Sequence, residues 1–503
     1  DRAGRSLALD IPGWSIYAHP HEFDAPARAA ERLAGALDGV SAEALRARFA
    51  PGRRFAWVKR PITPEEKQAV HDLGIPGVYF GAREVRVYPN GRLAAHVLGG
   101  VTAGDEGVDF AETVGLAGVE RFSDETLRDP GREGEPLRLS LDIPVQAALT
   151  DALREAMARF HAKAAAGVLM DARTGAVRAL VSLPDFDPNA RPNPHDPEIA
   201  AARPLMNRVA EGVFELGSTF KPLFAALALD RGVATADTAL DARGPLVWGR
   251  HRIRDFHRMP PVMTVSEAII ESSNVAVGRL AQRIGVGPAP GFLADLGMTE
   301  PTSLELAEAG LGRPLLPERW SEIALITASY GHGIAVSPLH LAAAYATLAN
   351  GGLRVAPTLD PDAPAATEAD RVLSAEAAAA VRKMLRGVVT DGTASKARVP
   401  GYEVAGKTGT AEKPGRGGYD RDRVISSFAA IFPASRPDHV LVVMLDEPED
   451  RSGPVVRRSA GWTAAPTAGA AIARIAPLLG LRPRVAPPVE AETPVLVSAE
   501  AVQ

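Results

Sequence analysis

The stretch Glu215-Leu-Gly-Ser-Thr-Phe-Lys-Pro-Leu-Phe224 places a serine and a lysine three residues apart at the start of an apolar segment. Residues at i and i+3 are neighbours on a helix surface, so we expect the Lys221 amine to reach the Ser218 hydroxyl. Pro222 fits only near a helix start, which places Ser218 at or beside the N-terminus. Unpaired backbone N–H groups and the helix dipole would stabilise negative charge there.

An isolated Ser-x-x-Lys match is more often a capping serine followed by a solvated lysine. The composition favours a chemical role instead. Only eight of the 56 basic residues are lysines, and Lys221 alone among them has a serine three positions earlier. Arginine cannot give up its proton to act as a base. A lysine kept here in an arginine-rich chain therefore indicates a need for a neutral amine.

The composition also limits the kind of protein. A chain of 503 residues predicts two or three domains. The net charge of −5 argues against nucleic acid as a partner. The absence of cysteine excludes disulfides, thiolate metal sites and a cysteine nucleophile. No apolar run approaches the roughly 18 residues needed to span a bilayer, so no membrane-spanning segment is expected within this sequence.

We predict three regions along the chain. Residues 1–138 mix short strands and helices around many Gly and Pro residues and carry no catalytic constellation. His19 and His21 flank a proline there, but no further ligand is identified beside them, so a solvated loop is favoured and no metal site is predicted. A linker-like run at 129–136 precedes a more apolar region at 139–480. The Pro-rich tail, 481–503, is expected to be disordered.

The apolar region contains patterns of both helices and strands. A helix is predicted at about 144–160, followed by a hairpin that turns at 171–175. Later strands are predicted at 425–432 and 440–445, so that five strands close one antiparallel sheet. Between these strands, a helix that starts at Thr264 breaks at Ser272-Ser-Asn274. Such a break either turns polar side chains into a cleft or forms ordinary helix caps.

A third motif, Lys407-Thr-Gly-Thr410, lies on the first of the late strands. Gly406 and Gly409 lack side chains, which weakens the strand but lets another backbone approach closely. A peptide substrate could add alongside as an extra strand, with Lys407, Thr408 and Thr410 suited to a substrate carboxylate. The alternative is a glycine-kinked edge strand without a ligand.

Together, Ser-x-x-Lys, Ser-x-Asn and Lys-Thr-Gly form the signature of penicillin-binding proteins and class A β-lactamases. The sequence resembles this superfamily over nearly all of the chain up to about residue 480, and most closely the class B penicillin-binding proteins of the division-specific (septal) type. Leu216 departs from the proline usual before the Gly-Ser pair. The further supporting segments are Asp1-Arg-Ala-Gly-Arg-Ser-Leu-Ala8, Gly118-Val-Glu120, Ser182-Leu-Pro-Asp-Phe-Asp-Pro-Asn189, Asn207-Arg208 and Ser272-Ser-Asn-Val275.

The resemblance implies an α/β (α+β) fold, in which helices flank the central antiparallel sheet of a transpeptidase domain and an elongated N-terminal pedestal domain precedes it. It implies a serine peptidoglycan D,D-transpeptidase without cofactor that acts on D-Ala-D-Ala stem peptides and is acylated by β-lactams. The residues expected to be catalytic are Ser218, Lys221, Ser272, Asn274 and Lys407, and those expected to bind substrate are Thr408, Gly409 and Thr410.

Within this interpretation, Asn274 is expected to orient Lys221 and bind the peptide amide, and the backbone N–H groups of Ser218 and Thr410 to form the oxyanion hole. The resemblance also implies a periplasmic ectodomain on the bacterial inner membrane, with a single-pass anchor that precedes this sequence. A membrane glycosyltransferase and other division proteins are the expected partners.

Three alternatives remain open. An elongation-specific transpeptidase shares the motifs, and the run Ser272-Ser-Asn-Val275 favours the septal type over it. A β-lactamase needs a water-activating group, and no Glu-x-x-Leu-Asn segment occurs between Ser272 and Lys407. A non-catalytic division scaffold or β-lactam sensor would not need the complete set of motif residues.

Overall fold

The computed structural model describes residues 1–106, 111–415 and 418–484. Most of the predicted Pro-rich tail therefore lies outside the described residues. Across the part of the chain that is described, no helix combines the length and apolarity needed to cross a membrane.

The N-terminal region combines short helices with two small antiparallel sheets. In the first sheet β1 (Leu9–Ala18) lies between β2 (Ala56–Ile62) and β3 (Val78–Val87), and the second pairs β4 (Gly100–Glu106) with β5 (Ala111–Ala117). Side chains from one face of the first sheet pack with the helices around Ile16, Leu33 and Leu45 in a hydrophobic cluster of their own. The elements are β1 (Leu9–Ala18), α1 (Pro26–Ala36), α2 (Ala42–Arg48), β2 (Ala56–Ile62), α3 (Pro64–Leu73), β3 (Val78–Val87), α4 (Ala95–Leu98), β4 (Gly100–Glu106), β5 (Ala111–Ala117), α5 (Gly118–Phe122) and α6 (Asp124–Leu127).

The rest of the described chain is built around one five-stranded antiparallel sheet. Its elements are α7 (Ile143–Arg159), β6 (Ala164–Asp171), β7 (Val177–Leu183), α8 (Pro197–Ala202), α9 (Lys221–Asp230), β8 (Ala239–Asp241), β9 (Leu246–Trp248), β10 (His251–Ile253), β11 (Val262–Thr264), α10 (Val265–Ile270), α11 (Asn274–Ile284), α12 (Pro288–Asp295), α13 (Glu322–Ala328), α14 (Pro338–Ala349), α15 (Ala375–Thr390), β12 (Ala405–Gly415), β13 (Gly418–Phe432), β14 (His439–Asp446) and α16 (Ala464–Leu478).

The strand order of this sheet is β12-β13-β14-β6-β7. The predicted sheet of three late and two early strands is thus confirmed, as is the overall class of a central antiparallel sheet flanked by helices. Strands β6 and β14 read as continuous apolar runs because almost every residue of both strands is buried. Helices α7 and α16 pack on each other and on the sheet, and α14, buried along its whole length, packs against β6, β13 and β14.

A single large hydrophobic cluster fills this region and extends into part of the N-terminal region. Tyr88, Val97, Leu98 and Val119 belong to it together with the side chains of the main sheet. The part of the N-terminal region after β3, together with Leu7, therefore packs against the sheet region, whereas the segment from β1 to β3 has its own core. The boundaries at residues 138 and 480 remain predictions. Strand β12, which carries the Lys-Thr-Gly motif, forms one edge of the main sheet.

Candidate active site

Ser218 lies at the start of α9, as predicted, but on a tighter turn. Residues Gly217–Phe220 form a 3-10 turn that runs directly into the helix at Lys221. Gly217 has a φ of +58°, and a Cβ placed there would lie 2.7 Å from the Thr410 carbonyl oxygen. The left-handed backbone and the close approach both require glycine. The turn that carries Ser218 is therefore pressed against strand β12.

Lys221 is completely buried beside this turn. Its amine donates to the Ser272 carbonyl oxygen at 2.5 Å and to Ser272 Oγ at 3.1 Å. The Ser-x-x-Lys spacing predicts a contact between this amine and the Ser218 hydroxyl, but the hydrogen bonds found go to Ser272. Ser272 has a φ of +63°, which is rare for a residue other than glycine, and both of its oxygens lie within reach of the amine.

Ser272 is the shared contact of the two motif lysines. It lies between α10 and α11, where the predicted helix break occurs. Its Oγ accepts from Lys221 at 3.1 Å and from Lys407 at 2.9 Å. A hydroxyl oxygen has two lone pairs, and the two amines occupy both. The Ser272 proton therefore remains available for donation to another group.

The Lys-Thr-Gly motif lies on the edge strand β12, with Lys407 completely buried. Besides Ser272, the Lys407 amine donates to the Thr408 carbonyl oxygen at 3.1 Å. The Thr408 hydroxyl is 3.0 Å from that of Thr393, and the Thr410 hydroxyl accepts from the Ala460 N–H at 3.0 Å. Both hydroxyls thus have protein partners, while Thr410 itself is exposed.

Gly409 was predicted to let another backbone approach closely, and the backbone found beside it belongs to this same chain. A Cβ at Gly409 would lie 2.0 Å from the Leu216 carbonyl oxygen and 2.6 Å from Ser427 Oγ. The Ser427 hydroxyl donates to the carbonyl oxygens of Leu216 and Gly409, at 3.2 and 3.3 Å. Gly409 therefore joins the Ser218 turn to β12, two parts of the chain that are far apart in sequence.

Burial lowers the pKa of Lys221 well below its ordinary value, and the positive charge of Lys407 lowers it further. The carboxylate of Asp255 acts in the opposite direction on the same pKa. Burial also lowers the pKa of Lys407, to about 7. Desolvation disfavours the charged form of an amine. A neutral Lys221 has a lone pair that can accept a proton.

Asn274 does not make the contact expected of it. Its side-chain amide donates to the Arg254 carbonyl oxygen at 3.1 Å, and its hydrogen bonds include none to Lys221 within the described ranges. Asn274 is the first residue of α11, so its backbone is fixed by the helix start and its side chain reaches the neighbouring segment. The expected orientation of Lys221 by Asn274 is therefore not found, and Ser272 holds the amine instead.

Asp255, a residue that no sequence pattern marked as functional, fixes the Ser272 turn. Its carboxylate accepts from the backbone N–H groups of Asn274 and Val275, at 2.5 and 3.1 Å, and from the Ser273 hydroxyl at 2.9 Å. It thereby caps α11 from outside the helix. Asp255 is 18 to 20 residues from these partners, and no local spacing marks such a contact.

Residues 165–471 match the family model described as the penicillin binding protein transpeptidase domain, and residues 1–135 match the penicillin-binding protein dimerisation domain. The chain belongs to the penicillin-binding protein transpeptidase family. The predicted resemblance to class B penicillin-binding proteins is thus confirmed.

Other members of the penicillin-binding protein family match over most of the chain. It is 39% identical over 494 residues to the probable peptidoglycan D,D-transpeptidase FtsI of Caulobacter vibrioides, covering 96% of this chain and 81% of the relative. It is 31% identical to the peptidoglycan D,D-transpeptidase FtsI of Escherichia coli strain K12, covering 89% and 78%.

A solved structure is similar as well. The apo transpeptidase domain of Burkholderia pseudomallei penicillin-binding protein 3 matches with a TM-score of 0.60 and 31% identity, covering 70% of this chain and 99% of that one.

Proposed function

We propose that this penicillin-binding protein is a serine D,D-transpeptidase that cross-links peptidoglycan stem peptides during septal wall synthesis. One observation carries the proposal: two buried lysine amines meet on Ser272 Oγ, at 3.1 and 2.9 Å, next to the turn that holds Ser218. Burial and the neighbouring Lys407 charge favour the neutral form of Lys221, so one amine can act as a base while the charged one binds a carboxylate. The names of the relatives support the same reaction and the septal role.

In the first step, Ser218 Oγ attacks the carbonyl carbon between the two terminal D-alanines of a stem peptide. Neutral Lys221 accepts the hydroxyl proton, because serine is a poor nucleophile until a base removes it. Ser272 passes its hydroxyl proton to the departing nitrogen and takes a proton in return from the Lys221 amine, which contacts its Oγ at 3.1 Å. The C–N bond breaks, D-alanine leaves, and the stem peptide stays on Ser218 as an ester.

Negative charge develops on the carbonyl oxygen during this attack. The backbone N–H groups of Ser218 and Thr410 are the proposed donors to it. The closeness of the two segments supports this role, because a Cβ at Gly217 would lie 3.1 Å from the Thr410 nitrogen. In other enzymes, removing one such donor costs about 3 to 4 kcal/mol of transition-state stabilisation.

In the second step, an amine of a neighbouring stem peptide attacks the ester. The new amide bond forms as the bond to Ser218 Oγ breaks, and the proton lost by the amine returns to Oγ. Before the first step, charged Lys407 together with Thr408 and Thr410 binds the terminal carboxylate of the donor peptide, and Gly409 lets the Ser218 turn lie against β12. β-Lactams acylate Ser218 in place of the donor.

The family membership supports the proposed cellular setting. The chain functions as the periplasmic part of a protein held in the bacterial inner membrane by a single-pass anchor. A membrane glycosyltransferase of the division machinery supplies the glycan strands whose stem peptides are joined, and other division proteins assemble with it.

Intact-protein mass spectrometry after incubation with benzylpenicillin tests the reaction, with peptide mapping of the adduct. We expect one long-lived penicilloyl group on Ser218 and none on the Ser218→Ala variant. An adduct mapped to another residue, or none, would refute the assignment of the nucleophile. Rapid turnover of penicillin would instead identify a β-lactamase.

Genetic complementation separates the septal role from the alternatives. We expect the full-length protein to rescue a division defect and its Ser218→Ala variant to fail. Rescue of a rod-shape defect alone would indicate the elongation-specific type, and rescue by the serine variant would indicate a scaffold.

A further inference from the structure

A rigid turn follows β1 in the N-terminal region, far in sequence from the catalytic motifs. Residues Pro20–Glu22 form a 3-10 turn in which the Glu22 N–H donates to the His19 carbonyl oxygen at 2.9 Å. The His19 N–H donates to the Gly77 carbonyl oxygen at 2.8 Å. Side chains three residues apart eclipse each other on such a turn, so those of His19 and Glu22 are held side by side.

The turn brings three metal-binding side chains together. One ring nitrogen each of His19 and His21 and one carboxylate oxygen of Glu22 all lie within 4.8 Å of one another. His21 Nε2 is 3.7 Å from Glu22 Oε1. The sequence pattern showed no ligand beyond the two histidines and favoured a solvated loop, whereas the structure adds the Glu22 carboxylate to the group.

Hydrogen bonds from neighbouring segments orient two of these three side chains. His19 Nδ1 lies 2.7 Å from the Arg54 carbonyl oxygen. Because a carbonyl only accepts, Nδ1 carries the hydrogen of the neutral imidazole, and Nε2 of that form has the lone pair that a metal ion needs. The Tyr79 hydroxyl donates to Glu22 Oε2 at 2.7 Å. A histidine that binds a metal usually donates its other ring N–H to a carbonyl or carboxylate oxygen, and a carboxylate that binds a metal usually accepts a hydrogen bond as well.

Aromatic rings restrict the His19 imidazole further. Its ring lies edge-on to those of Tyr79 and Tyr17, with centroids 5.2 and 5.5 Å apart. The His21 side chain is about half exposed, at 51%. It is therefore free to swing toward the two oriented ligands. Tetrahedral zinc with bonds of about 2.0 to 2.1 Å needs ligand atoms roughly 3.3 Å apart, so a small inward movement closes the site.

We propose that His19, His21 and Glu22 bind one Zn²⁺ ion. Two imidazole nitrogens and one carboxylate oxygen suit zinc, whereas Ca²⁺ and Mg²⁺ require oxygen ligands. Three protein ligands leave one coordination position for water or for a side chain of another protein. The site is separate from Ser218 and takes no part in acyl transfer.

Isothermal titration of ZnCl₂ into the untagged, EDTA-treated chain tests this proposal. We expect saturable binding of one equivalent, weakened at least tenfold by His21→Ala and by Glu22→Gln. Tyr79→Phe removes only the outer hydrogen bond to Glu22 and should weaken binding by about tenfold. His71→Ala is the matched control, because His71 is an exposed histidine 3.9 Å from Asp72 and should leave the affinity unchanged.

Circular dichroism of each variant checks that the fold is retained, which is expected for the half-exposed His21. The absence of saturable binding at one equivalent would overturn the proposal. So would one-equivalent binding of unchanged affinity in His21→Ala and Glu22→Gln, because it would show that zinc binds without these two ligands.

Discussion

Replacing Lys407 by glutamine removes a positive charge that lies beside Lys221. Both amines contact Ser272 Oγ, at 3.1 and 2.9 Å, so the two nitrogens are at most 6.0 Å apart. At an effective dielectric constant of about 20, two unit charges at this separation repel by about 3 kcal/mol. That energy corresponds to about 2 pKa units. The pKa of Lys221 should therefore rise by about 2 in Lys407→Gln.

The assay is the second-order rate constant for acylation of Ser218 by a fluorescent penicillin, measured as a function of pH. Neutral Lys221 is the proposed base, so the rate rises with pH through the pKa of Lys221. In Lys407→Gln, this rise should move about 2 pH units upward, which lowers the rate by about 100-fold on the acid side. Lys407→Gln also loses the contact with the penicillin carboxylate, which lowers the plateau of the rate but does not move the midpoint of its pH dependence.

Two further variants serve as controls for this shift. Lys407→Arg keeps the charge and should keep the acid midpoint, even where its plateau is lower. Lys413→Gln removes a charge from the same strand that is paired with Asp446 and Glu447 and should change neither quantity. An acid midpoint in Lys407→Gln within a few tenths of a pH unit of wild type would refute the claim that Lys407 depresses the pKa of Lys221.

Three other predictions follow from the same contacts. The wild-type acylation rate should fall as the pH rises above about 7, because Lys407 loses its charge there; Lys407→Arg should lack this fall in the same assay. Asp255→Asn removes the carboxylate that raises the pKa of Lys221, so the acid midpoint of the acylation rate should move to lower pH, in the direction opposite to Lys407→Gln. Because the cap of α11 is weakened, thermal unfolding should show a loss of about 1 kcal/mol of stability. Gly409→Ala places a methyl group 2.0 Å from the Leu216 carbonyl oxygen and should abolish acylation and destabilise the fold by at least 1 to 3 kcal/mol. In the control variant Gly415→Ala the nearest atom to the new methyl group would be 3.5 Å away, so acylation and stability should stay near wild type.

The sequence predicted the main sheet because its signals were local. Continuous apolar runs marked β6 and β14, and turn residues at 171–175 marked the hairpin that begins the sheet. The break at Ser272 was equally readable, since three small polar residues interrupt an apolar helical repeat. Each of these features depends on neighbours within a few residues, where the periodicity of the pattern decides the structure.

The detailed contacts of the site were not predictable in the same way. The Lys221 amine contacts Ser272 rather than Ser218 because of a left-handed backbone at Ser272, which glycine or asparagine would have signalled but serine does not. Asp255 reaches the α11 N-terminus only through tertiary packing. Gly409 was recognised as a point of close approach, but the segment that approaches it, Leu216, is identified only by the fold.

The central claim is that Lys221 is the neutral base that activates Ser218. Lys221→Met tests it most directly, because methionine keeps the length and the burial of the side chain without a basic nitrogen. Peptide mapping by mass spectrometry gives the rate of penicilloyl formation on Ser218, and circular dichroism confirms the fold. We expect the variant to be acylated at least 100-fold more slowly than wild type. Acylation of a folded Lys221→Met variant at the wild-type rate would contradict the account.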